Sequence, residues 1–347
     1  MVPDVSLAMI PHSQPFIDPT DASAIESRLQ TGMIAAGPLC DEFAAELAIY
    51  TGHAGAILTS SGTAALELCL KTLALSDAAE VILPTCVCDS VLRTVTAVGA
   101  SPVFCDVGQD WNITATEVAR CVTPRTGAII VVHTFGIAAD VAQLQEFGVP
   151  VIEDCCQSLG LRLPNGEHVG HQGYASFFSF HATKSLTTGE GGAVATSDPQ
   201  LLSNLKRLRD ADVHAPLSDL QAALGLSQLA RYPAMLERCR QIAATYLAAL
   251  PDHALTGVRA ATDRSMWFRF LLTLTDEFDA AQRQFAAAGV AVRRGVDALL
   301  HRDCQLSDSQ FPNAVRCYRT TSSIPLYPSL SDSDADRTCA AAAFLRP

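Results

Sequence analysis

The chain has 347 residues, of which 36 are acidic and 24 basic, for a net charge of −12. That balance argues against a non-specific binder of nucleic acid or of an anionic membrane, while leaving room for a small anionic ligand in a local pocket. Hydrophobic residues make up 49% and charged ones 17%, so a large core is available and global disorder is excluded. From about residue 55 to 197, short apolar runs alternate with helix-like stretches. The runs are 54–59, 80–84, 101–107, 127–133, 149–154, 174–180 and 192–197. Most are continuously apolar rather than alternating, as strands buried on both faces are, which predicts an α/β fold with a mainly parallel seven-stranded sheet flanked by helices. A helical region over 218–250 opens with Ser218 as N-cap and contains Pro233, where a kink or break is expected. Then come an apolar run at 266–274, a helix near 277–288 and a C-terminal helix near 331–345 with Ser or Asp as its cap. This divides the chain into a large domain, 1–240 with its N-terminal segment, and a smaller α+β domain, 241–347.

No early segment joins a basic stretch to an apolar one, and no run of about 20 apolar residues occurs, so a cytoplasmic protein with no membrane or nucleic-acid partner is expected. The 12 cysteines include no C-x-x-C pair, and no His stands at zinc-finger spacing from a Cys pair. Reduced, mostly buried thiols and no metal are therefore expected. Only three of the basic residues are lysines, Lys71, Lys184 and Lys206, so few positions can do amine chemistry.

Three motifs carry chemistry. In SFFSFHATKSLTTGEGGAV (176–194), a strand feeds a loop with Ser179, Lys184 and three glycines. A lysine at the rim of an α/β sheet can lose its proton and attack a carbonyl, forming a Schiff base; the same pattern also fits a solvated loop lysine beside a Gly-rich turn. In VIEDCCQSLG (151–160), Asp154 ends an apolar strand, where a buried carboxylate needs a partner. That partner is either the pyridinium nitrogen of pyridoxal phosphate or the start of a following helix that Asp154 would cap. In LTSSGTAALELCL (58–70), Gly62 and Thr63 open a helix whose free N–H groups suit a phosphate, although such a start is also an ordinary N-cap.

With these motifs in this order, the chain resembles the DegT/DnrJ/EryC1/StrS family of sugar aminotransferases, within the fold type I pyridoxal phosphate enzymes of the aspartate aminotransferase superfamily. The likeness extends through TPRTGAIIVVHTFG, LSDLQAALGLSQL and FPNAVRCYRTTSSIPLYPSLSDSD, and covers nearly the whole chain. It implies Lys184 as the Schiff-base lysine and proton carrier, Asp154 on the pyridinium nitrogen and Gln157 on the ring-hydroxyl side. Ser179, Gly62 and Thr63 would hold the phosphate. It also implies ping-pong half-reactions through pyridoxamine 5'-phosphate, a glutamate or glutamine donor, a keto-sugar acceptor (nucleotide-linked) or related cyclic ketone, and a homodimer with shared active sites. Two departures stand out. Cys88 occupies the position where relatives place an aromatic residue over the cofactor ring. The loop ADVHAP, with His214, is shorter than the inter-subunit loop of the family. These departures keep alternatives open: a degenerate paralogue serving as a regulatory or heterodimer subunit, or a pyridoxal phosphate enzyme that eliminates or decarboxylates. His133 is expected to be structural. Arg293 and Arg294 suit a carboxylate or diphosphate as well as surface ion pairs.

Overall fold

The computed structural model describes residues 8–213 and 215–345; His214 and its place in the short loop lie outside them. Seven strands form the large sheet: β1 Gly55–Thr59, β2 Glu80–Pro84, β3 Ser101–Cys105, β4 Thr126–Val132, β5 Val151–Asp154, β6 Ala175–Ser179 and β7 Gly192–Thr196. Their spatial order is β1-β7-β6-β5-β4-β2-β3. β7 runs antiparallel to both neighbours and every other pairing is parallel, so β1, β2, β4, β5 and β6 end on one edge. The continuous apolar runs have the expected cause. Ile129, Ile130 and Val131 of β4 and Ile82 and Leu83 of β2 are fully buried, because helices cover both faces. Helix Gly62–Thr72 packs against β6 and β7 and buries Leu66, Leu68, Cys69 and Leu70.

Helix Asp219–Ala249 starts as its sequence prescribes. Ser218 accepts from the Gln221 N–H, and the Gln221 side chain returns to the Ser218 N–H, a reciprocal capping box. The expected break at Pro233 does not occur, and the helix runs through it. Pro233 sits on the exposed side, while Tyr232 and Met235 beside it are buried and hold the helix on its course. The first half of this helix packs with Phe43, Leu47 and Phe180, and its second half with a further core around Phe270, Leu272 and Phe285. That core lies beneath a three-stranded antiparallel sheet of β8 Phe270–Thr273, β9 Arg293–Arg294 and β10 Thr321–Ile324, ordered β8-β10-β9. The last helix, Asp332–Ala341, is capped by Ser331. None of the 12 cysteines is paired, and only Cys88 and Cys304 are exposed. Among the described residues no helix is long and apolar enough to cross a membrane.

Candidate active site

Gly192 organises the site. As the first residue of β7 it pairs with Thr59 on one side and Ser179 on the other. A Cβ there would stand 2.4 Å from the carbonyl of Ser61 and 2.6 Å from the Gly62 nitrogen, so only glycine lets the start of helix Gly62–Thr72 cross over the strand. Gly62 in turn lies against Ser179, where its own Cβ would come within 2.8 Å of the serine Cβ. Ser61 is the N-cap and accepts from the Ala64 N–H at 3.1 Å. The N–H groups of Gly62 and Thr63 in the first turn are left free of intrahelical bonds, and Thr63 is exposed. Two close glycine contacts thus bring a helix N-terminus and two hydroxyls, Ser179 and Thr63, to one sheet edge, a cradle suited to a phosphate.

Two strands away, Asp154 closes β5 with only 5% exposure. One oxygen accepts the Cys156 N–H at 2.9 Å, but the segment after β5 is a turn, so the helix that Asp154 was expected to cap does not form. No cation is hydrogen-bonded to this carboxylate among the described residues. Burial pushes its pKa up, opposed by the Cys156 hydrogen bonds and then by the charge of Lys184. A carboxylate held in this way suits a buried cationic ring nitrogen. Gln157 is in the turn that follows, and its Oε1 accepts the Phe135 N–H at 2.9 Å, leaving its amide nitrogen available. This contact holds Phe135 in a left-handed conformation at φ 59°.

Lys184 lies in the loop after β6, half-buried, with its backbone N–H on the His181 carbonyl at 2.9 Å. Its Nζ is 5.9 Å from the Phe268 ring centre. It makes no hydrogen bond to Asp154, although its charge is felt there. Cys88 stands after β2 on the same edge, exposed at the start of helix Asp89–Ala97, and its Sγ accepts from Ser90 Oγ at 3.2 Å. No hydrogen bond connects it to the rest of the group.

His133 is structural, as expected. Its Nδ1 accepts the Ala139 N–H at 3.1 Å, so its Nε2 donates to Glu153 at 3.0 Å. Burial would raise the Glu153 carboxyl, but His133 and the N–H groups of Gly173 and Gly170 hold it below the usual range. His133, Glu153 and Cys155 have donor atoms within 4.8 Å of one another, but these bonds already engage both ring nitrogens and the carboxylate. Arg294 pairs with Asp279 and packs 4.4 Å from the Phe278 ring and 4.6 Å from that of Tyr318; Arg293 is exposed. A cavity of about 190 Å³ opens beside Lys184, lined also by Phe16, Tyr232, Phe268, Arg269 and Tyr327. Arg269 and its partner His12 escaped the sequence reading. The available signal was one arginine inside the apolar run MWFRFLLTL.

A model of the DegT/DnrJ/EryC1/StrS aminotransferase family matches residues 15–343. The spore coat polysaccharide biosynthesis protein SpsC of Bacillus subtilis (strain 168) is 30% identical, with 94% of each chain covered. Among solved structures, the PLP-form of the putative sugar aminotransferase Spr1654 from Streptococcus pneumoniae superposes with a TM-score of 0.86 at 25% identity, covering 96% of this chain and 97% of its own. DesI, solved in the presence of its TDP-sugar product, superposes with a TM-score of 0.85 at 26% identity, covering 96% of this chain and 92% of its own.

Proposed function

The chain belongs to the DegT/DnrJ/EryC1/StrS aminotransferase family and is a pyridoxal phosphate-dependent aminotransferase; on that premise we propose that it moves the amine of glutamate or glutamine to a keto-sugar carried on a nucleotide. The observation that carries this reading is the convergence of Lys184, the buried Asp154 and the Gly62–Ser179 cradle on one sheet edge. These residues fit the cofactor on two counts. The Asp154 carboxylate lacks a hydrogen-bonded cation, and the cradle is kept open by two glycines that tolerate no Cβ. When bound, pyridoxal phosphate supplies an electrophilic carbon for the amine and an electron-withdrawing ring.

In this reading each residue has a role. Lys184 is the amine to which the cofactor attaches, and it carries the proton to and from the substrate carbon. Asp154 keeps the ring nitrogen protonated, and Gln157 offers its free amide nitrogen to the ring hydroxyl. The Gly62 and Thr63 N–H groups, with the Thr63 and Ser179 hydroxyls, hold the phosphate. Cys88 stands beside the ring face and gives it less stacking than an aromatic residue. Residues 1–240 form the cofactor-binding domain and 241–347 the smaller one, and the working unit is a cytoplasmic homodimer with shared active sites. The likeness to SpsC and to DesI with its TDP-sugar product supports a nucleotide-linked sugar as acceptor.

The test is a two-stage incubation of the holoenzyme. Glutamate or glutamine should bleach the cofactor's visible band and yield the matching 2-oxo acid in stoichiometric amount. A TDP-linked keto-sugar should then restore the band and appear as the amino sugar. Ammonia or carbon dioxide released with no amino sugar formed would replace transfer with elimination or decarboxylation.

A further inference from the structure

The chain enters β8 through Met266, Trp267, Phe268 and Arg269, so that one guanidinium stands among apolar side chains. Arg269 forms no ion pair with a carboxylate among the described residues; its hydrogen-bond partner is a histidine. One guanidinium nitrogen is 2.8 Å from His12 Nδ1, to which it donates, and 3.2 Å from Nε2 of the same ring. The other ring nitrogen of His12 is 2.9 Å from Ser323 Oγ and, with Nδ1 accepting, it is the donor there. Burial, followed by the charges of Arg269 and Arg293, pushes His12 down to about 3, so the imidazole is neutral and orients the arginine without cancelling its charge. Arg269 itself is pushed down to about 10, chiefly by burial and then by Arg293, with the Asp297 carboxylate opposing them from beyond hydrogen-bond distance, and it remains a cation at neutral pH. A desolvated charge with no carboxylate in direct contact is costly, and an arriving anion reduces that cost.

The place of this charge identifies the anion. Arg269 and Lys184 line the same cavity. They flank one ring: the Phe268 centre is 5.1 Å from the guanidinium carbon and 5.9 Å from Lys184 Nζ. An amino acid whose nitrogen reacts beside Lys184 brings its carboxylates into the cavity that Arg269 also lines, and the planar guanidinium fork matches a carboxylate in two-point contact. We propose that Arg269, oriented by His12, binds a carboxylate of the amino donor. This rests on the reading above that the donor meets Lys184 in this cavity.

The test uses the holoenzyme and its Arg269→Gln and Arg269→Lys variants. Binding of glutarate, a dicarboxylate with no amine to transfer, is measured by calorimetry, and KM is measured separately for donor and acceptor. Arg269→Gln should weaken glutarate and raise the glutamate KM by about ten- to hundredfold, the effect of losing a charged hydrogen bond, with the cofactor band and acceptor KM unchanged. Arg269→Lys should recover only part of this, because an ammonium is a point charge; it carries the test if the glutamine variant unfolds. An equal rise with glutamine as donor assigns the contact to the α-carboxylate, and a rise with glutamate alone to the γ-carboxylate. Unchanged glutarate affinity and glutamate KM would overturn the proposal. So would an effect confined to the acceptor, which would give Arg269 to a phosphate of the nucleotide. Arg269-dependent glutarate binding by a protein that moves no amine would sink the transfer reading and leave the carboxylate site standing.

Discussion

Gly192→Ala adds one methyl group where the site has no room for it. The new Cβ would lie 2.4 Å from the carbonyl carbon and oxygen of Ser61 and 2.6 Å from the Gly62 nitrogen, all of them backbone atoms. Ordinary contact needs about 3.5–4.0 Å, so the start of helix Gly62–Thr72 must retreat by about 1 Å. Gly192 cannot give way instead, because it is paired to Thr59 and Ser179 across both edges of β7. Overpacking of this kind costs about 1–3 kcal/mol of stability. The retreat also draws the Gly62 and Thr63 N–H groups away from Ser179. Each charge-assisted hydrogen bond to phosphate lost in this way is worth about 1.5–3 kcal/mol, or about ten- to hundredfold in affinity. Titration of the apoprotein with pyridoxal phosphate, followed by absorbance, gives the affinity, and a thermal melt gives the stability. A variant with wild-type cofactor affinity would refute the placing of the phosphate in this cradle.

Three further outcomes are expected. Asp154→Asn keeps the acceptor for the Cys156 N–H but removes the charge that would hold a ring proton; the cofactor should still bind while turnover falls by about a hundredfold or more, and stopped-flow rates of the donor half-reaction near those of the wild type would contradict this. Cys88→Trp should tighten cofactor binding by about 0.5–1.5 kcal/mol if the exposed Cys88 stands beside the ring, and an unchanged titration curve would remove it from the site. His53, stacked on His171 at 3.9 Å, is lowered to about 4 by burial first and then by His171. The unfolded chain therefore binds the extra proton between about pH 6.5 and 4, and stability falls as pH drops through that window. Melting temperatures measured across it should show a shallower slope in His53→Gln, and parallel slopes would argue that the folded histidine is not depressed.

The large sheet was legible because burial on both faces leaves a signature no side chain contradicts. All seven runs became strands, with ends within a few residues of expectation. Ser218 was legible because a capping box is local, spanning only Ser218 to Gln221. Pro233 misled because its cost is local while its compensation is tertiary: Tyr232 and Met235 are held by packing from distant elements. The partnership of Arg269 with His12 spans 257 positions, and no periodicity encodes such a contact. Gly192 read as the end of a Gly-rich loop and the first residue of the run 192–197; that it admits Ser61 and Gly62 over the strand depends on β7 lying between β1 and β6, a sheet order that chain order does not specify.

With only three lysines in the chain, the assignment of the reacting amine can be tested at a single residue. The holoprotein is reduced with borohydride, which fixes the cofactor to the amine it occupies, then digested and mapped by mass spectrometry. The account predicts a pyridoxyl group on Lys184 alone. Label on Lys71 or Lys206, both carried on helices, or a cofactor-loaded protein that fixes no label, would contradict it.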